Sequence, residues 1–320
     1  IYGPSPTRKE NRCGGNGCTA DYVNQFKNPT NMRKTVLLLV LLFMYASASQ
    51  AGFVKTDSVK SDILGTWVKY NVYLPDGFNK EDRMYPIVYL LHGLSDDYTA
   101  WVEKGNMQSV ADELITSGEA DKMVIVMPNA GGPDVRNVQC GYFNVPGWNY
   151  EDFFFNELMP QVEEKYHVVS EKGHRAVMGL SMGGGGSTSY CQRHPERFCA
   201  CFAMSAWLAC DDFKEEPAEK HDCLYKTRES VNRHSTIDFM RNADEATLDK
   251  LRTVKWFFDC GDDDFLFDVN STMHQLMRNK GVRHEFRVRN GVHNWEYWHY
   301  SLRMALPFVS RCFSPLPPLR

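Results

Sequence analysis

The chain has 320 residues, 43% hydrophobic and 24% charged, a balance that suits a folded protein with a sizeable core and excludes a disordered or fibrous chain. Its formal net charge is −4, and it has no long Lys/Arg run and no zinc-finger spacing, which argues against nucleic acid as a partner.

Residues 1–31 are polar and rich in Gly, Pro and Asn, and they precede the first methionine, Met32. They read as translated upstream sequence, and Cys13 and Cys18 lack a nearby His to complete a metal knot. Residues 32–51, "MRKTVLLLVLLFMYASASQA", have a short basic start (Arg33, Lys34), an apolar run from Val36 to Tyr45 and small residues before a cut, which is the pattern of a secretory signal peptide. The run is about half of the roughly 20 residues that span a bilayer. The mature chain is therefore expected to be secreted or periplasmic, with no membrane segment, and residues 52–320 are expected to form one domain.

From Thr66 onward, β-like and helix-like runs alternate. "TWVKYNVYLP" predicts a strand that ends in a turn at Pro75, Asp76 and Gly77. "PIVYLLHG", "KMVIVMPN", "HRAVMGLS", "CACFAMSA", "VKWFFDCG" and "HEFRVRNG" follow, mostly continuous apolar runs that suit parallel strands covered on both faces. Between them, helical spacing appears in "MQSVADELITSG", "YEDFFFNELMPQVEEKY", "GGGGSTSYCQRHPERF", "TIDFMRNADEATLDKL", "NSTMHQLMRNKG" and "NWEYWHYSLRMAL". Such alternation predicts a doubly wound α/β sheet. The polar stretch from Trp207 to His234 reads as an insertion over the sheet's edge. Among the cysteines of an exported chain, Cys210 and Cys223 flank that insertion and are the first pair to test as a disulfide, while Cys199, Cys201 and Cys260 lie in apolar runs and read as buried thiols.

"GLSMGG" places Ser181 between a predicted strand and a predicted helix, the context of a nucleophile elbow, with Gly179 and Gly183 allowing close packing around the turn. A serine needs a base, and in this architecture the chain order is serine, acid, histidine. His293, in "RNGVHNWEYW", is the expected base. The acid lies among Asp262, Asp263 and Asp264, since Asp259 and Asp268 are farther from the strand end. An oxyanion hole requires two backbone amides, expected from Met182 and from Leu94, which follows His92 and Gly93; His92 itself reads as structural.

These motifs carry a resemblance. "LLHGLSDDYTAW", "MVIVMPNAGG", "NYEDFFFNELMPQVEEKY", "MGLSMGG", "CGDDDFLF" and "GVHNWEYW", in this order, resemble the putative-esterase family of α/β-hydrolases, which includes secreted feruloyl and acetylxylan esterases, tributyrin esterases and S-formylglutathione hydrolases. The resemblance covers nearly all of residues 52–320 and implies the α/β-hydrolase fold, a doubly wound and mostly parallel sheet with helices on both faces. Against the family's G-x-x-D-x-L pattern, "GDDDFL" places the acid at Asp264, with Asp263 next; the extra acidic residue upstream departs from the pattern.

The implied activity is that of a secreted serine carboxylic-ester hydrolase that removes feruloyl or acetyl groups from plant cell-wall polysaccharide, with no cofactor and no metal. The alternatives are a short-chain carboxylesterase, an acyltransferase and, from another class, a non-catalytic carbohydrate-binding protein. The aromatic residues of "CGYFNVPGWNYEDFFF" suit a platform for a cinnamoyl ring or a sugar face. Tyr142, Trp148 and, beyond the histidine, Trp295 are the expected substrate contacts.

Overall fold

The computed structural model describes residues 51–78, 84–131 and 141–316. The stretches expected to be upstream sequence and leader, as far as Gln50, and Cys140 lie outside the described residues. An antiparallel pair opens the fold, β1 (Phe53–Ser61) with β2 (Thr66–Leu74), followed by β3 (Ile87–Leu91). Helices α1 (Ala100–Glu103) and α2 (Met107–Thr116) lead to β4 (Val124–Pro128). A short hairpin, β5 (Asn144–Val145) with β6 (Trp148–Asn149), precedes α3 (Tyr150–Phe153), a π turn at Phe154–Leu158 and α4 (Met159–Lys165). Then come β7 (Arg175–Leu180), α5 (Met182–Arg193), β8 (Ala200–Met204), α6 (Cys223–Arg233), α7 (Thr236–Asn242) and α8 (Glu245–Leu251). The chain continues with β9 (Lys255–Gly261), α9 (Phe267–Asn279), β10 (His284–Arg289) and α10 (Trp295–Cys312).

Eight strands form one sheet in the order β1-β2-β4-β3-β7-β8-β9-β10, in which β2 alone runs against the others. This is the α/β-hydrolase arrangement. Strands β3, β4, β7 and β8 are buried along their whole length because helices cover both faces. Side-chain alternation sorts them into two cores. Tyr89, Leu91, Val177, Cys201 and Ala203 join α4, α5, α7, α8 and α9 on one face, while Val88, Leu90, Met178, Phe202 and Met204 join α1, α2 and α10 on the other. A buried ion pair pins α4 to the start of β7, with Arg175 donating to both Glu163 oxygens at 2.6 and 2.7 Å.

Three expectations are corrected. The polar stretch after β8 begins at the middle of the sheet, where the Trp207 amide donates to the Ser181 carbonyl at 2.9 Å, and its second half folds as α6. The helical run at 236–251 is two helices, because Asp244 caps a new start by accepting from the Thr247 amide at 2.9 Å. Cys210 and Cys223 are free thiols, and Cys210 donates to Asp212 at 3.5 Å.

Candidate active site

Strand β7 ends at Leu180, and the chain turns at Ser181 (φ 51°, ψ −116°) directly into α5. A left-handed φ is strained for a serine, and the surrounding packing must hold it. Glycines allow that packing: a Cβ at Gly183 would lie 2.5 Å from the Leu91 carbonyl oxygen, and one at Gly185 would overlap the Trp207 carbonyl oxygen. The elbow is thereby pressed between β3 and the segment after β8.

Ser181 Oγ lies 3.0 Å from His293 Nε2, and His293 Nδ1 lies 3.0 and 2.9 Å from the two Asp264 oxygens. The nucleophile comes from the β7 turn, the acid from the loop after β9 and the base from the loop between β10 and α10. All three stand at the carboxyl ends of parallel strands, where α/β sheets expose their loops. With a carboxylate on Nδ1, the imidazole carries its proton there and presents a bare Nε2 to the serine hydroxyl.

The structure separates the three acids. Asp264 is 4% exposed and faces His293, whereas Asp263 is exposed and Asp262, also exposed, accepts from the Gly291 amide at 2.9 Å and ties down the histidine loop. Asp259 is spoken for: Arg289 donates to it at 3.0 Å and the Tyr297 hydroxyl at 2.9 Å, which anchors α10. Burial pushes the Asp264 carboxyl up, but hydrogen bonds from His293, the Leu266 amide and Ser205 outweigh it and hold the group below its ordinary range.

Met182 opens α5, so its amide belongs to the first turn and has no intrahelical acceptor. Gly93 abuts the serine, since a Cβ there would lie 3.7 Å from Ser181 Cβ, and Leu94 follows it. His92 is 1% exposed; its Nδ1 meets the Gly93 carbonyl at 2.8 Å and its Nε2 accepts from the Ala130 amide at 3.0 Å, an arrangement that braces the loops after β3 and β4. Burial lowers its pKa and keeps it neutral.

One member of the expected aromatic platform is corrected. Tyr142 is wholly buried with its hydroxyl donating to the His92 carbonyl at 2.9 Å, so it offers no surface to a substrate. Trp148 lines a cavity of about 350 Å³ between the β5–β6 hairpin and α6, which Ser181, Asp264 and His293 do not line. Trp295 packs edge-on against Trp101 and Trp298, with ring centroids 5.2 and 5.4 Å away. Two aromatic rings flank the histidine: buried Trp298, with ring centroids 4.8 Å apart, and Phe265, 76% exposed and 4.4 Å from the imidazole. Phe265 follows the acid immediately in "DDDFLF", but an apolar residue in such a run reads as core until its exposure is known.

A solved structure named ferulic acid esterase is 45% identical, with a TM-score of 0.77 over 82% of this chain and 100% of that one. An endo-1,4-beta-xylanase/feruloyl esterase of Xylanibacter ruminicola is 29% identical over 160 residues, which are 49% of this chain and 22% of that protein. The chain thus spans less than a quarter of that relative's length. An acetyl esterase of Caldicellulosiruptor saccharolyticus is 23% identical over 70% of this chain and 83% of its own. Residues 61–309 match the family model described as putative esterase, and the chain belongs to that family.

Proposed function

We propose that this protein is a serine carboxylic-ester hydrolase acting on feruloyl esters of plant cell-wall polysaccharide outside the cytoplasm. The observation that carries the reading is the continuous chain Ser181–His293–Asp264, at 3.0 and 2.9 Å. Ser181 Oγ attacks the ester carbonyl while His293 Nε2 takes its proton, and the amides of Met182 and Leu94 hold the oxyanion. The protonated imidazole then passes its proton to the departing alcohol. Water, deprotonated by the same imidazole, cleaves the acyl-enzyme and restores the serine. Asp264 stays ionised throughout and stabilises the imidazolium.

The feruloyl part rests on the name of the 45% identical structure, and export rests on the leader read at residues 32–51. A second reading, an acetyl or other short-chain esterase, is favoured by the acetyl esterase relative. The test is acid release from methyl ferulate, acetylated xylan, and p-nitrophenyl acetate and butyrate, by the wild-type chain beside Ser181→Ala. The variant should lose activity by a factor on the order of a million. Serine-dependent ferulate release supports the first reading, and preference for acetyl groups the second. Turnover that survives Ser181→Ala would overturn both.

A further inference from the structure

We infer that the cavity between the β5–β6 hairpin and α6 is a second ligand site, one that takes a single sugar carboxylate, a uronic acid unit. Ser181, His293 and Asp264 do not line it, so the site stands or falls apart from the esterase reading. Its volume of about 350 Å³ lies at the small end of the range that small-molecule sites occupy, roughly 300–1,000 Å³.

One wall is preformed by the hairpin. Val145 pairs with Trp148 across a turn of Pro146 and Gly147, in which proline fixes its own φ and glycine takes φ 79°. Asn144 Oδ1 accepts from the Asp152 amide at 3.1 Å, which leaves the hydrogens of the Asn144 side-chain amide as donors. Trp148 is 7% exposed, and its Nε1–H has no acceptor among the described residues. A buried donor of this kind costs free energy until an acceptor meets it.

The facing wall is charged. Asp222 caps α6 by accepting from the Tyr225 amide at 2.8 Å, and the helix then sets Lys226, Glu229 and Arg233 along one face, lining the cavity. Arg233 donates to Glu229 at 2.6 Å and keeps further N–H groups. Lys226 forms no ion pair with a described residue, so the lining, counting histidine as neutral, carries one positive charge in excess. His221 Nε2 lies 2.7 Å from the Glu216 carbonyl. Burial lowers the pKa of His234, whose Nδ1 meets the Ser230 carbonyl at 2.8 Å and whose ring stacks on Phe143 at 4.2 Å. An imidazole in that tautomer keeps Nε2 as an acceptor, which a hydroxyl satisfies and a carboxylate does not.

A neutral sugar leaves Lys226 unmatched, and an aliphatic acid leaves His234 Nε2 unmet. A hydroxylated ring with one carboxylate answers both. The experiment titrates isotope-labelled chain with D-glucuronate, D-glucose, acetate and inorganic phosphate, and follows the Trp148 indole N–H resonance, identified by its loss in Trp148→Phe. Calorimetry gives the affinities of wild type, Lys226→Gln, Glu229→Gln and Ser181→Ala.

The expected result is a saturable shift with glucuronate and an affinity at least about tenfold above that for the other three probes. Lys226→Gln should raise the glucuronate Kd about tenfold, and Glu229→Gln should lower it, because Arg233 is released to the ligand. Ser181→Ala should bind as wild type does. No saturable shift, equal affinity for phosphate, acetate or glucose, an unchanged Kd in Lys226→Gln, or binding lost with Ser181 overturns the inference. Glucuronate binding that holds while hydrolysis survives Ser181→Ala supports the site and overturns the esterase reading alone.

Discussion

At the scale of single residues, the outcome turns on which acid faces the histidine. Asp264→Asn should lower kcat by roughly 10⁴-fold, because an amide facing Nδ1 no longer selects the tautomer that leaves Nε2 bare. Asp263→Asn, at an exposed carboxylate, should retain near wild-type kcat. Steady-state kinetics of the two variants side by side decides the assignment, and equal losses would contradict it. The serine and histidine are legible in the sequence because each sits at a glycine-marked strand end. The acid is legible only to within three neighbours, since the choice depends on Asp262 being occupied by the Gly291 amide, a contact across 29 residues. Tyr142 shows the opposite failure, since aromatic density marks a packed interior as readily as a binding face.

At the scale of elements, α5 departs from helix propensity. Four consecutive glycines, Gly183 to Gly186, lie in the first turns of a helix that is buried up to Gln192 and that propensity alone disfavours. Ala at Gly185 would gain about 1 kcal/mol of intrinsic preference, yet its Cβ would meet the Trp207 backbone, which cannot move aside as a side chain would. Gly185→Ala is therefore expected to lower the urea midpoint and to reduce kcat together, since the displaced segment holds the Ser181 carbonyl. An unchanged midpoint would show that the elbow tolerates the added methyl group. The central strands are legible because burial on both faces demands continuous apolar runs. Strand β1 escapes notice for the complementary reason: "FVKTDSVKS" is half-exposed and held by nine paired positions along β2 and not by an apolar face. The reversal of β2 also leaves no local signal, because strand direction is decided by the partner.

At the scale of the whole molecule, two depressed carboxyls that are also partly buried, Asp57 and Asp264, contribute to the response to acid. Burial alone would raise Asp57 and Asp264; Lys165 and Tyr166 pull the first down, and His293 with the Leu266 amide and Ser205 pull the second down. Their folded-state values lie below the unfolded ones, so both contribute fully above the ordinary carboxylate range. That contribution disappears as pH falls, when the unfolded chain takes up protons first. The urea midpoint should drop between about pH 5 and pH 2, and a flat midpoint there would contradict the pairing. Free thiols give a second measurement: iodoacetamide added to chain unfolded without reductant should label both Cys210 and Cys223, and protection of the pair would restore the disulfide.

The loop that carries His293 lies between the last strand of the sheet and the last helix, 112 residues beyond Ser181. During refolding, the elbow and the acid loop can be in place while the base is still unattached. Contacts of such separation close late, because a long loop of chain must first be confined. Recovery of esterase turnover should then lag behind recovery of helical signal, so the enzyme's own reaction serves as a clock for completion of the sheet.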